Sequence, residues 1–92
     1  MTMLLTDHAR ERMAARGVTE AEVEATIELG WPATDPMPGR EGYTAVFAFD
    51  STWEGRTYAE KEVTVYWIHE ADRLVVLTVK SRYGKHFPRK TA

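Results

Sequence analysis

The chain has 92 residues, with 12 Lys/Arg against 14 Asp/Glu, and carries a net charge of −2 at neutral pH. That length supports one core and one domain, residues 1–92. It has no cysteine, which excludes disulfides, thiolate catalysis and thiolate zinc sites. With 43% apolar residues and only 6 Gly and 4 Pro, the composition predicts a packed globule rather than disorder. No apolar run approaches a membrane span, and Met1–Leu5 lacks the basic start of a signal peptide. A soluble cytoplasmic protein without membrane association is expected. A core this small is only marginally stabilising, and a homodimer would support it.

A first helix is predicted from about Asp7 to Arg16, with Thr6 or Asp7 as cap and Gly17 as its left-handed terminator. Leu5, Ala9 and Met13 make an inward stripe; His8, Arg12 and Arg16 lie on a neighbouring one. Thr19-Glu20-Ala21-Glu22 fits a capping box, flanked by Val18 and Val23 at the staple positions. This second helix turns Val23, Ile27 and Leu29 inward and closes at Gly30, so the two helices form a hairpin.

Trp31 to Gly42 carries Pro32, Pro36, Pro38, Gly39 and Gly42 and reads as a loop. It either covers a groove or simply crosses from helices to sheet, the plainer reading. Three strands follow, at Tyr43–Asp50, about Tyr58–His69, and Arg73–Lys80, joined at Glu54-Gly55 and Glu70-Ala71-Asp72. The third has apolar residues on both faces, which predicts a central strand covered on both sides. The fold class is α+β: an N-terminal helical hairpin packed on a three- to four-stranded antiparallel sheet.

Charge is segregated. Residues 1–42 carry −4 and residues 43–92 carry +2. From Lys80 onward there are five cations, Lys80, Arg82, Lys85, Arg89 and Lys90, with His86 and no acid. Such a basic end can hold a phosphate-bearing partner, or merely keep a sheet edge soluble. On strand alternation, Lys80 and Arg82 share a face, while Ser81 and Tyr83 point the other way. His8 is expected near a helix N-terminus, where a macrodipole disfavours a cation, and so suits a general base, with Arg12 one turn away; a surface role is the plainer alternative. His, Arg, Lys and Tyr together meet the needs of metal-independent RNA cleavage: a base for the 2′-OH, cations for the phosphorane and an acid for the leaving oxygen. The histidines 8, 69 and 86 lack metal-ligand spacing, and no phosphate loop or nucleophile elbow is present, so no metal or other cofactor is expected. Trp31, Trp53 and Trp67 read as core or rim.

The run His8-Ala9-Arg10-Glu11-Arg12-Met13-Ala14-Ala15-Arg16-Gly17-Val18, with the later Val75-Val76-Leu77-Thr78-Val79, resembles a bacterial family, domain of unknown function 4258. That family is similar in layout to the RelE- and BrnT-like ribonuclease toxins. The resemblance implies a RelE-like fold and possible RNA cleavage, with weight on His8, Arg12 and Arg16; the basic end matches by position only. The expectation is a toxin-type, metal-independent endoribonuclease. Its catalytic residues would be His8, Arg12, Arg82 and Tyr83, and its RNA-binding residues Arg16, Lys80, Lys85 and His86. Its partners would be RNA and a cognate antitoxin. The alternative is a non-catalytic protein-binding or accessory domain, dimeric in one form, which the acidic balance and aromatic-rich sheet favour.

Overall fold

Thr6 and Gly17 bracket the first helix. In the computed structural model, which describes residues 2–35 and 37–90, α1 runs Asp7–Arg16 and α2 runs Glu20–Leu29. The Thr6 hydroxyl accepts from the Ala9 N–H at 3.0 Å. Gly17 adopts φ 69°, and a Cβ there would lie 2.6 Å from the Trp53 ring, so glycine is needed for both backbone and space. The capping box forms: the Thr19 side chain accepts from the Glu22 N–H, and the Glu22 carboxylate accepts from the Thr19 N–H. Val18 and Val23, at the staple positions, are both buried.

Among the described residues the sheet has five strands and is mixed, where the sequence predicts three or four antiparallel ones. They are β1 (Thr2–Leu5), β2 (Trp31–Pro32), β3 (Glu41–Trp53), β4 (Arg56–Glu70) and β5 (Arg73–Gly84), ordered β1-β5-β4-β3-β2. The added strand β1 runs parallel to β5, pairing Leu5 with Val76. Leu5 is buried from this strand and not from the helix, because Thr6 starts α1 only after it. A partner 71 residues away leaves no local trace. The other addition, β2, lies at the opposite edge, where Pro32 lacks an N–H to donate without harming the ladder. The helical hairpin thus carries the chain across the sheet from one edge to the other.

Both helices cover one face, α1 over β5 and α2 over β3 and β4. The core joins Ala9, Met13, Val18 and Val23 to Val63, Val65, Trp67, Val76 and Val79, with Tyr43 edge-on to Trp67 at 5.3 Å. Ile27 packs against it, but Leu29, predicted inward, is 79% exposed. It sits at the last turn of α2, past the reach of the core. β5 is interior as predicted, yet helices cover only one of its faces. Val76 and Val79 enter the core, whereas the register aligns Val75 with Ile68 and Leu4 on the other face. A register shift between Tyr66 and Trp67 leaves Leu77 as the extra residue on β5, so Val76 and Val79, three apart, both face the core. No helix among the described residues is long and apolar enough to cross a membrane.

Candidate functional site

The face away from the helices carries a row of four residues in register: Trp31 on β2 pairs with Thr44 on β3, Thr44 with Thr64 on β4, and Thr64 with Lys80 on β5. Side chains opposite one another on neighbouring strands share a face, so an indole, two hydroxyls and an ammonium follow one another across the sheet. The two threonine hydroxyls bond each other at 2.9 Å. The next row aligns Val46, Glu62 and Arg82. The first row, with Glu62 and Arg82 of the second, lines a groove of about 380 Å³.

The loop after β2 forms one wall. The Lys80 ammonium donates to Asp35 at 2.7 Å, and the buried Tyr66 hydroxyl donates to the same carboxylate at 2.6 Å. The hydrogen bond from Lys80, then that from Tyr66, holds the Asp35 carboxyl below its ordinary range. Burial, then the hydrogen bond to Asp35, pushes the Tyr66 phenol up to about 12. Gly42 lies opposite Tyr66, and a Cβ there would meet the phenol ring at 2.8 Å. The tyrosine therefore lies over a strand position that has no side chain.

The chain after β5 forms the other wall. His86 takes a left-handed φ of 58°, and the tail turns back toward β4. There the Phe87 N–H donates to Glu60 at 2.9 Å, and Arg89 pairs with Glu60 at 2.7 Å. These contacts, Phe87 first, lower the Glu60 carboxyl. The Arg82 guanidinium lies 5.0 Å from the Phe87 ring centroid and pairs with Glu62 at 2.7 Å. Lys90 reaches the groove and has no carboxylate partner among the described residues. No three of His, Asp and Glu converge among the described residues; the groove's carboxylates face cations instead.

The predicted site residues fall into separate groups. His8 and Arg12 are exposed on α1, on the helix-covered side. Arg16 donates to the Val79 carbonyl at 2.6 Å, and its own carbonyl accepts from Ser81 at 3.0 Å and Tyr83 at 2.7 Å. The Tyr83 ring stacks on Trp53 and touches Phe49 and Tyr58, again on the helix side. Lys80 and Arg82 face the opposite way, as strand alternation predicts. One chain therefore does not bring His8 and Arg12 together with Arg82, nor Arg82 together with Tyr83, because the sheet lies between them. Lys85 and His86 are exposed where the tail begins.

Asp35, Glu62 and Tyr66 are not singled out by the sequence, which reads Trp31 as core or rim. Trp31 read as loop, and the pairing of Asp35 with Lys80 spans 45 residues. Lys90 was visible only as one of five tail cations. The family model described as Domain of unknown function (DUF4258) matches residues 5–80. No curated protein and no solved structure matches the chain.

Proposed function

The chain belongs to the DUF4258 family, whose description assigns no activity, and from that premise we propose that its open-face groove binds RNA phosphodiesters and cleaves them as a metal-independent endoribonuclease of toxin type. The observation that supports this is the convergence of Lys80, Arg82 and Lys90 with the carboxylate of Glu62 around one concave site. In this reading Glu62 takes the proton of the ribose 2′-OH. The 2′ oxygen then bonds to phosphorus as the bond from phosphorus to the 5′ oxygen breaks. Lys80 and Arg82 hold the added charge on the non-bridging oxygens, Arg82 through its planar fork. The Lys90 ammonium gives the leaving 5′ oxygen its proton. The products are a 2′,3′-cyclic phosphate and a 5′-hydroxyl. Asp35, held ionised by its hydrogen bonds from Lys80 and Tyr66, serves to place Lys80.

One observation favours a second reading. Lys80 and Arg82 already have carboxylate partners, and Leu4 is 41% exposed beside the apolar end of the same face. A protein partner, such as an antitoxin or a second copy, would suit that combination. The test is incubation of end-labelled single-stranded RNA with the native protein and with the Lys80→Ala/Arg82→Ala variant, in chelator, with the fold of each checked by circular dichroism. Cleavage by the native chain alone, leaving cyclic phosphate ends, agrees with the proposal. Intact RNA with no salt-dependent binding contradicts it and leaves the protein-binding reading.

A further inference from the structure

Resting on that reading of the groove, we infer that it selects unpaired RNA by stacking one base on Trp31 while the adjoining phosphate sits at Lys80 and Arg82. The register places Trp31 and Lys80 at the two ends of one row, three strand spacings or about 14 Å apart. Between them lie only the Thr44 and Thr64 side chains, whose hydroxyls bond each other and retain capacity for a ribose hydroxyl. Trp31 is half-buried, lies on an edge strand, and lines the groove. It differs here from Trp53, stacked on Tyr83, and from Trp67, closed in the core. Of the three tryptophans it is the one that lines the groove together with the cations.

This arrangement is anisotropic. A phosphate chain alone would use only the cationic end. A duplex presents phosphates but keeps its base faces stacked on one another, out of reach of an indole. A single strand can splay one base onto Trp31 and set its phosphate on the cations, a pairing that tolerates any base but favours the larger purine faces.

The test is fluorescence anisotropy with labelled 2′-O-methyl hexa-adenylate, which cannot be cleaved through its 2′ oxygen. The same sequence as a blocked duplex, 2′-O-methyl hexa-uridylate and inorganic polyphosphate serve as competitors. The native chain should bind the adenylate at least about tenfold more tightly than the duplex or polyphosphate. Trp31→Ala should weaken adenylate binding by roughly tenfold, and Trp31→Phe should restore most of it. Unchanged affinity in Trp31→Ala, or equal binding of duplex and single strand, overturns the stacking inference. If Lys80→Ala/Arg82→Ala still abolishes binding in that case, the phosphate-binding reading survives alone. If no probe binds the native chain, both fall.

Discussion

Lys61 and Lys80 stand on opposite faces of the same sheet, and each meets a carboxylate at 2.7 Å. The Lys61 side chain is 3% exposed; that of Lys80 is 43% exposed. Lys61 also donates to the Gly17 carbonyl at the end of α1, and lies 5.5 Å from the ring centroids of both Phe49 and Tyr83. Its partner Glu22 belongs to the capping box of α2. One ammonium thus ties both helices to β4. Lys80 instead ties a loop to the floor of a groove. The contrast shows that surroundings, and not separation, decide what a pair does. A buried pair cannot change partners without leaving a charge stranded, whereas an exposed one contributes little to stability and can trade its carboxylate for a phosphate oxygen.

The sharpest way to break the comparison is Lys61→Ala, which strands Glu22 and the Gly17 carbonyl. It should cost about 3–5 kcal/mol in denaturant unfolding. Lys61→Met, which keeps the volume, should cost less than Lys61→Ala. Next comes Gly42→Val, which drives a side chain into the Tyr66 ring and should cost about 1–3 kcal/mol while loosening the Asp35 wall. On the open face, Lys80→Ala should move stability by less than about 1 kcal/mol yet weaken RNA binding roughly tenfold or more, read by titration at fixed salt.

Tyr66 gives a smaller, pH-dependent effect. Its folded pKa of about 12 lies above the ordinary value of 10.0, so the unfolded chain loses this proton first. The stabilisation is complete below about pH 10 and is lost as pH rises toward 12. Tyr66→Phe should remove that alkaline decline, and a phenolate absorbance titration should lose its step near 12. Asp35 works in the acid direction: its lowered pKa contributes stability above the ordinary carboxylate range, lost as pH falls through the folded value. The smallest effect is His8→Ala, which should leave RNA affinity unchanged because α1 lies across the sheet from the groove.

What sequence made legible was local. Thr6, Gly17, Thr19 and Glu22 act within four residues of their partners, so caps and helix limits were readable. The alternation of Lys80, Ser81, Arg82 and Tyr83 already assigned two side chains to each face. Long-range partners were not readable. β1 looked like the lead-in to a helix because Leu5 and Ala9 are four apart, and only Val76 on β5 makes it a strand. Trp31 joins the site because β2 adds to β3, and Asp35 because a loop of prolines and glycines returns to Lys80. Residues 2–5 and 31–35 obtain their roles from strands far along the chain. The expected union of His8 with Arg82 is not seen for the same reason: sequence places His8 on the first helix and Arg82 just past a strand that in fact runs on to Gly84, but it does not assign them to sides of the sheet.

The most direct measurement is methyl NMR of the protein titrated with short single-stranded RNA. The account predicts shifts at the methyls of Thr44, Thr64 and Thr78 on the open face, with those of Val63, Val65 and Val79 still, and their loss in Lys80→Ala/Arg82→Ala. Shifts confined to Ala9, Met13 and their neighbours on α1 would contradict it and return the site to the side of His8 and Arg12.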